Sequence, residues 1–345
     1  MNDHPQTQVP ITAADESFTH QLVAPHADVL YRDPRWADRC YHQLTVEDLT
    51  VNLGRQLYPY DGRRFAFAGV ADTRTQYAVR AAESFEIGDD PNQARIGSVT
   101  IEVEDPLRRI RLQTHKPDAP IAVDLTFTGR FPAVASQPHL IEQDGEAVTH
   151  YMNFFQSGVY DGTIRVADRT YEVTERFGFR DRGWGLRKHE ASGRRGFMIA
   201  AYCELPDAAL YLLLFETASG QRAFTNGWLL DDGGVADDVT SVHHDVDLDG
   251  TLVTGGRLEV GFASGAQRTV TFDVLGRSYL SAIGYALEEE LRQPGTDSFD
   301  LTDPATVARL DGQNDQSCRF DVDGSEGYGY VETGVGTHVR YRPEA

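Results

Sequence analysis

Apolar and polar positions alternate with a period of two in both halves of the chain. Val99, Ile101 and Val103 form one run; Ile121, Val123, Leu125 and Phe127 a second; Leu258, Val260 and Phe262 a third; and Val270, Phe272 and Val274 a fourth. That period sends successive side chains to opposite faces of an extended backbone, so it predicts half-buried β-strands. Between the runs stand Tyr60-Asp61-Gly62, Gly88-Asp89-Asp90-Pro91, Gln143-Asp144-Gly145, Asp231-Asp232-Gly233-Gly234 and Asp249-Gly250, residues that accept a positive φ or pre-set a bend. The expected result is a series of antiparallel hairpins.

Three departures from simple alternation refine this picture. Residues 210–215 are continuously apolar, as in a strand buried on both faces. Near the end of the chain, Val331, Thr333, Val335, Thr337 and Val339 share one face. Tyr328, Tyr330, Glu332, His338 and Arg340 share the other, a polar and aromatic face suited to lining a ligand cavity. Leu280, Ile283, Leu287 and Leu291 have helical spacing and predict one short helix, followed over 293–316 by a long acidic loop. Phe131-Pro132, Gln137-Pro138 and Asp144-Gly145 interrupt the strand pattern and predict a boundary between two β-rich halves.

Composition narrows the partners. Against 53 acidic residues stand 32 Lys plus Arg, a net charge of −21 that repels nucleic acid and anionic lipid. No apolar run approaches the roughly 20 residues of a membrane span, and the first residues are polar without a signal pattern, so the expectation is a soluble, cytoplasmic protein. Cys40, Cys203 and Cys318 are far apart in the sequence and read as free thiols. Nucleotide loops, the GxSxG elbow and the HExxH helix are all missing, so neither cofactor nor metal is expected. His243-His244-Asp245-Val246-Asp247-Leu248-Asp249-Gly250 copies the opening of a calcium loop but carries Gly256 where the bidentate Glu belongs.

The densest unusual string is Gly178-Phe179-Arg180-Asp181-Arg182-Gly183-Trp184-Gly185-Leu186-Arg187. It resembles the Gly-aromatic-x-Asp-x-x-Trp-Gly signature of the carotenoid 1,2-hydratase (hydroxyneurosporene synthase) superfamily, and most of all the Arg-Asp-Arg-x-Trp-Gly form of its uncharacterised bacterial members. Pro106-Leu107-Arg108-Arg109, Asp124-Leu125-Thr126-Phe127 and Gly327-Tyr328-Gly329-Tyr330-Val331-Glu332 extend the resemblance from about Ser17 onward. The hydratase has His where this chain has Arg180 and Arg182, so Asp181, Trp184 and the glycines are what carries over.

The resemblance implies an all-β fold of two consecutive lipocalin-like β-barrel or β-sandwich domains with few short helices. Residues 1–16 would be a disordered tail, 17–145 the first domain and 146–345 a lipocalin-like barrel. It also implies cofactor-independent chemistry on a hydrophobic alkene of isoprenoid or polyketide type: hydration, dehydration or cyclisation, in an apolar cavity in or between the domains. Tocopherol cyclase and decalin-forming Diels-Alderases are more distant relatives in architecture.

Protonating an alkene needs a protonated acid in a dry cavity, with π faces or carboxylates around the cation. Asp181 is the expected proton donor. On a regular strand, Phe179, Asp181 and Gly183 face one side, and Arg180, Arg182 and Trp184 the other. If Asp181 faces the cavity, burial raises its pKa and Gly183 leaves room for substrate. If the arginines and Trp184 face it instead, the site suits an anionic or enone ligand. The same residues also fit a structural salt-bridge lattice with Trp184 as a core plug. Trp184, Arg180, Arg182, His150, Tyr151, Asn153, Tyr160 and Glu332 complete the substrate-binding candidates. The alternatives are a non-catalytic carrier of hydrophobic ligands and a pericyclic cyclase working by orientation alone.

Overall fold

The structure is a computed structural model that describes residues 10–23, 28–143, 146–187, 196–250, 252–285, 293–310, 314–336 and 338–341. Their backbone is predominantly antiparallel β, so the protein is all-β and lipocalin-like. The first twelve strands are β1 (Trp36–Val46), β2 (Leu49–Tyr58), β3 (Arg63–Ala71), β4 (Thr75–Ser84), β5 (Arg95–Ile96), β6 (Val99–Asp105), β7 (Arg109–Thr114), β8 (Ile121–Gly129), β9 (Val134–Ala135), β10 (His139–Gln143), β11 (Glu146–Val166) and β12 (Arg169–Arg187). They are followed by β13 (Gly196–Glu204), β14 (Ala208–Thr217), β15 (Arg222–Asp231), β16 (Ala236–Asp249), β17 (Leu252–Phe262), β18 (Gln267–Tyr279), β19 (Gly295–Asp300), β20 (Asn314–Val322) and β21 (Ser325–Val335). The one α-helix among the described residues, α1 (Pro304–Leu310), lies between β19 and β20 and is too short to cross a membrane.

Strands β1 to β12 and β19 form a 13-stranded sheet with β1, β12 and β11 near its middle. The sheet curls until β3 and β4 touch β5 and β6. Inside the curl lies a core that includes Leu44, Val51, Leu53, Leu112, Leu125 and Phe127, with Phe18 of the N-terminal segment as a plug. Strands β13 to β18, β20 and β21 close a barrel. Its interior is filled by side chains such as Phe197, Ile199, Leu212, Leu258, Phe320 and Val331. Along β14, Leu210, Leu212 and Leu214 point into the barrel, while Tyr211 and Leu213 point out toward the sheet. Residues 210–215 are apolar without interruption because both faces are covered.

Several sequence expectations change. β11 and β12 follow residue 145 yet are central in the first sheet. The chain passes to the barrel only beyond Arg187, after the Gly-rich hairpin has taken its place in the sheet, and β19 later returns to the sheet edge. The 1–16 tail is not all loose: Ala13–Glu16 form a 3-10 helix, and Glu16 is buried against Arg180. Of the expected helix, Leu280 and Ile283 sit in buried turns after β18, and Leu287 and Leu291 lie outside the described residues. The expected 293–316 loop contains β19, which returns to pair with β4, then α1 and the start of β20. The calcium-like string is strand β16 and a turn, with Asp245 paired to Arg340.

Candidate functional site

Sheet and barrel meet through an aromatic seam. Tyr41 of β1, Phe155 of β11 and Phe179 of β12 face Tyr202 of β13, Tyr211 of β14 and Tyr330 of β21. Phe155 stacks on Tyr211 at 4.0 Å between ring centres, and Phe179 packs at 4.5 Å from Tyr202 and 4.7 Å from Tyr330. Strand alternation makes this possible: Tyr41 is opposite Asp181 and Gln43 opposite Phe179 in the β1–β12 register, so all four share the seam face.

A small cavity of about 60 Å³ opens in this seam, room for a few waters but not for a whole polyene. Asp181, Asp315 and Glu332 line it together with Tyr41, Tyr151, Asn153 and Tyr330. Asp315, at the start of β20, is completely buried. Its Oδ2 accepts a 2.5 Å hydrogen bond from Tyr41, while its Oδ1 is buried without a partner. Burial, then the charge of Glu332 and that of Asp181, push the Asp315 carboxyl well above its usual range despite the Tyr41 bond. Burial likewise raises the Tyr41 and Tyr330 phenols, which remain donors.

A buried hydrogen-bond chain fixes Tyr41. Gln76 on β4 donates to Ser278 on β18, Ser278 donates to Asn52 on β2 at 2.7 Å, and Asn52 donates to the Tyr41 hydroxyl. The chain crosses between sheet and barrel and holds the donor to Asp315 in one orientation.

The two faces of β12 are now distinct. Asp181 faces the cavity, half-buried, and Asn153 donates a 3.3 Å hydrogen bond to it. Arg180 and Arg182 point the other way and are 1 % exposed. Arg180 makes two hydrogen bonds to Glu16 and one to Gln156. Arg182 pairs with Asp38 at 2.5 Å, donates to the Ser17 carbonyl and covers the Phe18 ring. A salt-bridge lattice therefore exists, but its acids are Glu16 and Asp38, and it anchors the N-terminal segment.

Other candidates are redistributed. Trp184 stacks on His20 at 3.7 Å beside this lattice, away from the cavity. His150 is exposed, and Tyr160 is enclosed in the first core, donating to the Phe179 carbonyl. Tyr151, Asn153 and Glu332 do line the cavity with Asp181. The room beside Gly183 is filled by Tyr151, whose ring lies where a Gly183 side chain would stand. His338 falls beyond β21 and bonds Glu216 at 2.9 Å, apart from Glu332.

Asp315 and Tyr41 are the residues that sequence reasoning missed. The available signal for Asp315 was the polar run Asn314-Asp315-Gln316-Ser317, all buried, directly ahead of Cys318.

Residues 57–292, about two thirds of the chain, match the family described as Domain of unknown function (DUF7064). No curated protein matches the sequence. Among solved structures, kievitone hydratase from Nectria haematococca is similar with a TM-score of 0.57 at 10% identity, over 93% of this chain and 97% of that one. An AttH-like protein from Nitrosomonas europaea is similar with a TM-score of 0.55 at 14% identity, over 90% of this chain and 96% of that one. At such identities the likeness shows a shared fold.

Proposed function

The chain belongs to the DUF7064 family, and we propose that this member is a cofactor-independent lyase or isomerase that protonates a hydrophobic alkene at the sheet–barrel seam. The observation that carries this is the Asp315 carboxyl: buried, with Oδ1 unpartnered, in an aromatic-walled cavity shared with Asp181 and Glu332. Three carboxyl groups around one small cavity cannot all ionise cheaply, so the cluster retains a proton near neutrality. Asp315 is the group best placed to hold it.

Asp315 gives its proton to one alkene carbon, and the π electrons form the new C–H bond. The cation left on the adjacent carbon meets the carboxylates of Asp181 and Glu332 within the aromatic wall of the cavity. Water attack completes hydration, and its proton returns to the cluster; loss of a neighbouring proton to the cluster gives isomerisation, and attack by a second double bond followed by loss of a proton from the new cation to the cluster gives ring closure. Tyr41 keeps Asp315 oriented throughout. Asp181, the donor expected from sequence, takes the role of the facing carboxylate, positioned by Asn153. The hydratase with the same fold adds weight to hydration as the first reaction to test.

The test is turnover of kievitone, acyclic isoprenoids and polyene polyketides in heavy water, read by mass spectrometry. Deuterium should appear at carbon, and Asp315→Asn should lower the rate by about 10²-fold or more with the fold intact. Turnover without deuterium at carbon overturns general-acid catalysis in favour of a pericyclic reaction.

A further inference from the structure

Beyond Phe179 the same seam opens into a second and larger space of about 660 Å³. It lies along β1 past the acid cavity: Tyr41 lines the cavity, while Gln43 and Thr45, the next residues on that face, line the cleft. Phe179 borders both, and its packing against Tyr202 and Tyr330 forms the partition. The volume is within the range of small-molecule sites.

Three observations describe what fits. Gln43 is 3 % exposed, and both its amide nitrogen and its amide oxygen are buried without a partner. A buried primary amide with neither bond made is costly, and a ligand that both accepts and donates would satisfy it. Phe177, Leu275 and Tyr328 are large apolar side chains that are 40 %, 45 % and 47 % exposed, and all three line this cleft. Such clustering marks a surface covered by something apolar. The charged residues there are Glu47, Glu175, Arg176 and Glu326, an acidic excess that disfavours anions, while Glu204 is largely neutralised by burial and by Arg130.

We propose that this cleft is a binding site for an uncharged amphipathic molecule, with its hydroxyl or amide end on Gln43 and its apolar body against Phe177, Leu275 and Tyr328. The site does not depend on the acid chemistry of the neighbouring cavity. An alkanol matches it: the hydroxyl donates to the Gln43 oxygen and accepts from the Gln43 nitrogen. A carboxylate cannot donate and meets the acidic rim.

The probes are Nile red, an uncharged flat dye, with n-decanol and decanoate as competitors. Nile red should bind wild-type protein with one-to-one stoichiometry, and Phe177→Asp with Leu275→Asp, at exposed positions, should weaken it by about tenfold or more. Decanol should displace the dye at lower concentration than decanoate. Gln43→Leu should cost decanol about fivefold, the size of one buried hydrogen bond, with dye affinity retained. Dye binding indifferent to the Phe177 and Leu275 changes, or decanoate competing as well as decanol, overturns the site. An unchanged decanol affinity in Gln43→Leu overturns the role of the amide. Asp315→Asn separates the two readings: it should lower alkene turnover by about 10²-fold or more and leave dye and decanol binding in place.

Discussion

Tyr41 and Asp315, 274 positions apart in sequence, are joined by a 2.5 Å hydrogen bond that crosses from the curled sheet to the barrel. The bond ties the position of the buried acid to a residue of the central strand β1. It also makes the acid cavity a product of two substructures, since neither half contains both partners.

Removing this bond should be felt in stability. Tyr41→Phe deletes the donor to Asp315 and the acceptor for Asn52, and should cost about 1–3 kcal/mol in chemical denaturation. Asp315→Asn replaces a carboxyl held toward its neutral form by a neutral amide, and should cost less near neutral pH. The reverse order would mean that the seam depends on a charged Asp315.

Glu204 supplies a pH dependence that can be isolated. Burial lifts its pKa from 4.5 to about 7, although Ser157, Tyr202 and Arg130 all hydrogen-bond to it and pull the other way. Between those values the folded chain keeps a proton that the unfolded chain has released, so stability falls as pH rises from 4.5 through about 7. The full loss is of order 3 kcal/mol. Glu204→Gln should flatten this part of the melting profile between about pH 5 and about pH 8, and a profile parallel to wild type would show that Glu204 is ionised throughout.

The N-terminal lattice responds in the opposite sense. Burial raises the Glu16 and Asp38 carboxyls, but Arg180 and Arg182, with His20 at Asp38, outweigh it and hold both below their ordinary 4.5 and 3.8. Their contribution is present above those values and is lost as pH falls through the lowered pKa. Arg180→Met strands Glu16 as a buried charge and should cost about 3–5 kcal/mol at neutral pH. Glu16→Leu with Arg180→Met should recover most of that loss and weaken the acid-induced fall, as read by urea denaturation. A double variant as unstable as the single one would place the cost in packing around Arg180.

The strands were legible in the sequence because period-two alternation is local: it needs only that one face be buried. The turns Tyr60-Asp61-Gly62 and Asp249-Gly250 were legible for the same kind of reason, and Gly62 and Gly250 have φ of 67° and 64°, which glycine adopts without strain. Alternation also put Phe179 and Asp181 opposite Arg180 and Arg182, and correctly set Tyr330 and Glu332 apart from Val331.

Which face turns toward which partner was decided only by tertiary structure. A charge on β12 is satisfied either by a near neighbour or by a residue far along the chain, and the sequence carries no distance between Arg180 and Glu16. The same holds for Asp315, whose carboxyl holds its proton because of burial beside Glu332 and Asp181, brought in from two other strands, against the pull of the Tyr41 bond. Local pattern determined the strands, whereas the docking of a curled sheet against a filled barrel determined which of their polar residues share one cavity. Desolvation, the force that makes those residues chemically unusual, exists only once the two surfaces have met.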